Sequence, residues 1–179
     1  QLRDKEAPDE ALIEQGRALK AAPAPTGVPL IVNDRLQVAA AIGADGIHLG
    51  QADEGIPAAR ALLGPDAILG LSIQCVEHAQ ACADLPVDYV GIGPVFATAT
   101  KADHAAPLGC DGLATVRAAT ALPAVAIGGL SAEHAACVLD AGCDGLAVVS
   151  AVCGTADPSA AAAGLSRAVA AHRSRLEQP

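Results

Sequence analysis

The chain has 179 residues, 52% of them hydrophobic, enough to bury a core and most simply read as a single domain over residues 1–179. Its formal net charge is −9 at pH 7 and no basic block interrupts it, which argues against nucleic acid and anionic membrane surfaces as partners. Any small anionic ligand must then be met by a few positioned cations. Apolar stretches are broken by Gly, Asp or Pro short of the roughly 20 residues that a membrane span needs, and no apolar leader follows Gln1, so the cytoplasm is the expected compartment.

The first residues, Gln1 to Asp4, read as a short strand, followed by a helix over Asp9 to Ala22 and a Pro-rich loop from Ala21 to Pro29. Further strands are predicted at Pro29 to Asp34, Gly46 to Gly50, Ile68 to Ile73, Tyr89 to Pro94, Ala124 to Gly129 and Gly145 to Ser150. Ala-rich helices are predicted between and after them, at Leu36 to Ile42, Ile56 to Leu63, Val76 to Leu85, Asp111 to Thr120, Ala132 to Ala141 and Pro158 to Leu176. The strands are near-continuous apolar runs rather than alternating ones, the pattern of parallel strands covered by helices. Gly43-Ala44-Asp45-Gly46 and Gly142-Cys143-Asp144-Gly145 repeat one phrase, a helix-ending Gly and a turn into the next strand, and Leu85 to Asp88 leads into Tyr89 in the same way.

Seven visible strands alternating with helices fit either an open doubly wound sheet or a barrel. Polar residues or glycines close nearly every run, at Arg3 and Lys5, Asn33 and Asp34, Gln51 and Asp53, Ser72, Thr98 to Lys101, Gly128 and Gly129, and Ser150. In a (β/α)8 TIM barrel all such ends converge on one face, whereas an open sheet uses only those near its switch point. The α/β class is therefore expected as a TIM (β/α)8 barrel lacking its first βα unit, an N-terminally incomplete domain.

Asp34 and Asp53 close neighbouring strands about 4.8 Å apart and could share one hard divalent ion, Mg2+, although each also fits a helix cap. Arg3 and Lys5, two apart and so on one side of a strand, join Lys101 as cations suited to a diphosphate. Gly128-Gly129 and Val149-Ser150 end the last two strands, where barrels often hold phosphate. The five histidines lack metal or nucleophile spacing, and His48 reads as a packed strand residue. The six cysteines form no C-x-x-C pair and read as small apolar fillers of a reduced protein.

Five ordered blocks carry a family resemblance: Gln1 to Lys5, Pro29 to Arg35, Asp45 to Asp53, Tyr89 to Asp103, and Ala126 to Leu130 with Gly145 to Ala151. They resemble the motifs of thiamine-phosphate synthases over nearly the whole chain, and Gly93-Pro94-Val95-Phe96-Ala97-Thr98-Ala99-Thr100-Lys101 is highly specific. The resemblance implies that Gln1, Arg3, Lys5, Asn33 and Lys101 hold a pyrimidine diphosphate and that Asp34 and Asp53 ligate Mg2+. It further implies that Ser72, Thr98, Thr100, Gly129, Val149 and Ser150 bind a thiazole phosphate and the departing diphosphate region. Arg3, Lys5 and Lys101 would carry catalysis by offsetting leaving-group charge, with no side-chain nucleophile needed. The family has a strand and helix before the Gln1 block, which these residues lack.

Two other functions stay open at this level. A thiazole tautomerase shares the fold but typically lacks the second aspartate and the Thr-x-Thr-Lys signature, both present here as Asp53 and Thr98 to Lys101. A non-catalytic barrel that binds phosphate ligands is the third reading, and turnover with both substrates separates the three. The partners implied are small-molecule phosphate substrates, and a homo-oligomer is left open.

Overall fold

The computed structural model describes residues 1–22, 26–51, 55–98 and 106–176. It divides into two compact units, Gln1–Ser72 with Asp84–Tyr89, and Ile73–Ala83 with Val90–Pro179.

In the first unit, α1 (Asp9–Ala21), β1 (Ile31–Asn33), α2 (Leu36–Ile42), β2 (Gly46–Leu49), α3 (Ile56–Leu63) and β3 (Ile68–Ile73, its last residue in the second unit) follow one another. β1 pairs in parallel with β2, and β2 with β3, in register Ile31 to Gly46 and Gly46 to Ile68. All four residues of β2 are buried, as a strand covered on both faces requires. The core is built from Leu12, Val32, Val38, Ile47, Leu49 and Leu69, each at most 2% exposed.

In the second unit, α4 (Val76–Ala81) precedes β4 (Tyr89–Ile92, its first residue in the first unit), α5 (Gly109–Ala118), β5 (Ala124–Ile127) and a 3-10 turn at Ala132–His134. Then come α6 (Ala135–Asp140), β6 (Gly145–Ala147), α7 (Ser150–Cys153) and α8 (Pro158–Leu176). β4, β5 and β6 pair in parallel and in that order. Ile92, Val95, Leu113 and Val138 are fully buried, and α8 packs on α6 and α7. No helix among the described residues is long and apolar enough to cross a membrane.

The recurring Asp phrase has a structural meaning. Asp45, Asp88 and Asp144 each stand just before a strand, and each closes a two-way bond with the start of the preceding strand. Asp45 N–H donates to Leu30 O (3.0 Å) while its carboxylate accepts Leu30 N–H (2.7 Å). Asp88 does the same with Leu69 (2.8 and 2.8 Å), and Asp144 with Ala124 (2.7 and 2.8 Å). A cation braces each carboxylate: Lys20 at 3.8 Å, Arg60 at 3.0 Å and Arg117 at 4.0 Å. The same cations donate to the carbonyls of the helix-ending Gly43, Gly64 and Gly142. Exposed ion pairs add little, about 0–1 kcal/mol. The larger contribution is an acceptor for a backbone N–H that the core has cut off from water.

Three expectations change. The first run makes only a single parallel bridge, Leu2 to Val32, through Leu2 N–H to Ile31 O and Asn33 N–H to Leu2 O, so the described residues hold six strands rather than seven. The Asp4 carboxylate turns the chain there by accepting the N–H groups of Glu6 and Ala7. Ser150 begins α7 instead of closing a strand, because β6 ends at Ala147. Cys110 on α5 and Cys137 on α6 are disulfide-bonded, their Cα atoms 5.9 Å apart, where thiol fillers were expected. Packing of α5 beside α6 joins residues whose separation of 27 gave no sequence signal. Cys82 and Cys143 do fill the core, and burial pushes the Cys143 thiol up to about 11.

Candidate active site

The first unit brings Lys5, Asn33 and Asp34 together at the C-terminal end of β1. The strand stops at Asn33, and Asp34 takes a left-handed backbone (φ 61), a conformation that Asp tolerates better than most residues. Neither Asn33 nor Asp34 is the cap of α2, whose N-cap is Arg35. Asp34 lies instead beside the Lys5 ammonium, Nζ to Oδ2 3.9 Å, with 28% of its side chain exposed. Lys5 lies in the turn after the Leu2 bridge, so it reaches this carboxylate from a bend and not from the flank of a strand. Hydrogen bonds from Glu6 and Ala7 hold the Asp4 carboxyl below the usual range and fix that bend. Arg3 is exposed in the same segment.

Arg35, which the sequence marked only as part of a motif, braces the bend. Its guanidinium donates to Asp9 Oδ1 (2.5 Å) and to the carbonyls of Lys5 and Ala7 (3.0 Å each), with a long contact to Asp4 O (3.5 Å). A planar fork places donors on separate nitrogens, so Nη1 reaches Asp9 while Nη2 reaches the carbonyls, whereas an ammonium presents its three donors from a single point.

A second cluster lies across β2, β3 and the start of β4. Buried His48 touches Ser72 Oγ through Nε2 and the Tyr89 hydroxyl through Nδ1, both at 2.9 Å. The amide of Gln51 donates to the Ser72 carbonyl (2.7 Å), and the Gln1 side chain hydrogen-bonds Tyr89. Burial pushes the Tyr89 phenol up to about 12, so it stays protonated through the neutral range. His48 is thus packed, as expected, yet both ring nitrogens are in use.

In the second unit, the turn after β5 carries Gly128 and Gly129 at positive φ (98 and 64). The Pro94 to Ala97 stretch crowds them: Phe96 N–H donates to Gly128 O, and a Cβ on Gly129 would come within 2.6 Å of Ala97 O. The glycines are therefore needed for this close approach whatever they bind. Phe96 stacks on His134 (centroids 4.4 Å apart), and His134 Nδ1 accepts from Ser131 N–H at 3.0 Å, which pins the turn. Thr98 is partly buried, while Gly129, Val149 and Ser150 are exposed. Asp53, Thr100 and Lys101 lie outside the described residues. A cavity of about 590 Å³ along β6, α7 and α8, lined by Leu146, Leu165 and Val169, contains none of the expected site residues.

The thiamine monophosphate synthase family profile matches residues 1–152 of this chain. The chain belongs to that family. It is 54% identical over 162 residues to thiamine-phosphate synthase from Azorhizobium caulinodans, covering 90% of this chain and 76% of that protein. It is 46% identical over 175 residues to the Moorella thermoacetica protein of the same name, covering 98% and 83%. Among solved structures, thiamine phosphate pyrophosphorylase from Pyrococcus furiosus superposes with a TM-score of 0.85 at 35% identity, over 95% of this chain and 81% of that one. The fold class is accordingly that of the TIM-like (β/α) barrel, with fewer than eight strand-helix units among the described residues. Membership makes the chain a transferase of thiamine biosynthesis.

Proposed function

We propose that this chain joins a hydroxymethyl-aminopyrimidine diphosphate to a phosphoethyl thiazole, releasing diphosphate and thiamine phosphate, or to the carboxylated thiazole, releasing CO2 as well, in the cytoplasm. The observation that carries the reading is the Lys5–Asp34 pair at the end of β1, with the Lys5 bend braced by Arg35. An exposed cation beside a partly exposed carboxylate is the minimum that a metal-bridged diphosphate requires.

Arg3, Lys5 and Lys101 are assigned to the leaving diphosphate, where their charge counts most as the C–O bond lengthens. Gln1 and Asn33 supply neutral contacts to the same substrate. Ser72, Thr98, Thr100, Gly129, Val149 and Ser150 are assigned to the thiazole phosphate and the departing diphosphate. Asp34 fits Mg2+ as a hard oxygen donor, with Asp53 as the second ligand, and the ion when bound would neutralise phosphate oxygens. The electron pair of the C–O bond leaves with diphosphate, and the thiazole nitrogen lone pair forms the new C–N bond. The residues hold two reactants in line, and none forms a bond to substrate.

The test is turnover of the purified chain with both substrates, with and without Mg2+, followed by chromatography of thiamine phosphate. Mg2+-dependent coupling that Asp34→Ala and Asp53→Ala each abolish, with unchanged circular dichroism, is the expected result. Thiazole isomerisation without coupling would make the chain a tautomerase. A trifluoromethyl in place of the pyrimidine methyl should slow single-turnover coupling strongly, and an unchanged rate would favour direct displacement.

A further inference from the structure

His48 lies in a strand whose neighbours Ile47 and Leu49 are at most 1% exposed, and it is itself 8% exposed. A buried imidazole there needs partners for both nitrogens. It has them on two strands: Ser72 Oγ on β3 and the Tyr89 hydroxyl at the start of β4. The residue of β3 opposite His48 in register is Gly70. A Cβ at Gly70 would fall within 2.5 Å of His48 Nδ1 and overlap the Tyr89 ring, so this glycine is the opening through which the tyrosine reaches the histidine. Ser72 is two residues on and faces the same side of the strand.

The chemistry of the chain of bonds gives it a direction. A phenol hydroxyl is a better donor than acceptor, and the atom 2.9 Å from it is a ring nitrogen that accepts when unprotonated. The phenol proton is then directed to Nδ1. A neutral imidazole that accepts at Nδ1 carries its proton on Nε2. That N–H donates to Ser72 Oγ, and the serine's own proton is turned away from the histidine.

We propose that His48 is a positioning residue that, set by Tyr89 across Gly70, presents the Ser72 hydroxyl to the substrate as a hydrogen-bond donor. The inference rests on the assignment of Ser72 as a substrate contact. It names what that contact recognises, an acceptor atom such as a phosphate oxygen or an unprotonated ring nitrogen, and not a donor group. A site built to donate one hydrogen bond discriminates against analogues that cannot accept it.

Two measurements test it on the full chain. Nitrogen-15 spectroscopy of the histidine rings in the unmodified protein should find His48 as the Nε2–H tautomer, and Tyr89→Phe should shift that ring towards a mixture. A His48 ring protonated on Nδ1 would overturn the proposal without any mutation at the site. In steady-state coupling assays, Ser72→Ala and His48→Leu should each lower kcat/KM by about 10- to 100-fold, the scale of a misplaced contact, and His48→Gln, which keeps an N–H donor, should recover part of the loss. Adding His48→Leu to Ser72→Ala should then cost nothing further. Losses that multiply would mean that His48 acts independently of Ser72, and the relay would be wrong. Full activity in Ser72→Ala would remove the substrate contact and the inference with it, while leaving the synthase assignment intact. Absence of coupling in the unmodified chain would strike the synthase assignment, and the tautomer would still decide the direction of the relay.

Discussion

Replacing Asp88 by Ala removes the acceptor for Leu69 N–H, and Leu69 is fully buried, so no water can take its place. An unsatisfied buried N–H costs about 1–3 kcal/mol. The ion pair with Arg60, whose partner carboxylate is 50% exposed, adds only about 0–1 kcal/mol. Arg60 itself keeps the carbonyls of Pro65, Ala67 and Pro86, so it is not left without partners. The expected loss for Asp88→Ala is therefore about 2–3 kcal/mol, whereas Asp88→Asn, which keeps a neutral acceptor, should lose only about 1 kcal/mol. Urea unfolding followed by circular dichroism and by the fluorescence of Tyr89, the one tyrosine of the chain, measures both. The midpoint should fall in the order Asn, then Ala, with the slope unchanged. Equal midpoints for the two variants would show that charge and not the backbone acceptor matters, and the reasoning about the clamps would fail.

Arg35→Ala should raise the KM for the pyrimidine diphosphate about 10-fold or more by freeing the bend that carries Lys5, and Arg35→Lys should not restore it, because a single nitrogen cannot stand both where Nη1 meets Asp9 and where Nη2 meets the Lys5 and Ala7 carbonyls; steady-state kinetics checks this. The Tyr89 phenol should titrate near 12 in the folded chain against an ordinary value of 10.0. Its folded value is raised, so its contribution to stability is complete below pH 10 and is lost as pH rises towards 12, which ultraviolet absorbance of tyrosinate and unfolding in alkali can follow together. The unreduced, unfolded chain should show four titratable thiols and the reduced chain six. Reduction should lower stability by about 2–4 kcal/mol, the usual effect of opening such a loop.

What the sequence made legible was what is local or repeated. Gly43-Ala44-Asp45-Gly46 and its counterpart at Gly142 were readable as helix end, turn and strand, and the strand-helix alternation followed from near-continuous apolar runs. The purpose of the aspartates was not, because their partners Leu30, Leu69 and Ala124 lie 15, 19 and 20 residues earlier and contribute only a backbone N–H, which leaves no trace in residue type. Asn33 and Asp34 were recognisable as a polar strand end, whereas Lys5, expected on the flank of a strand, sits in a bend. Arg35 was missed as a brace because its targets are mostly carbonyls. His48 was seen as packed, and only the register that sets it opposite Gly70 reveals the opening to Tyr89. Four residues of α7 are too few for any periodicity to show.

The three aspartate clamps divide the chain into exchangeable blocks. Each is closed by residues within one stretch: 20–45 for Lys20, Leu30 and Asp45; 60–88 for Arg60, Leu69 and Asp88; and 117–144 for Arg117, Ala124 and Asp144. A recombination crossover with a homologous gene placed between 46 and 59, or between 89 and 116, cuts none of them, whereas one between 21 and 44 separates Lys20 from Asp45. Chimeras joined at the first kind of seam inherit every cation with its own carboxylate. Shuffled libraries should for that reason be richer in folded members there than at seams chosen by length alone.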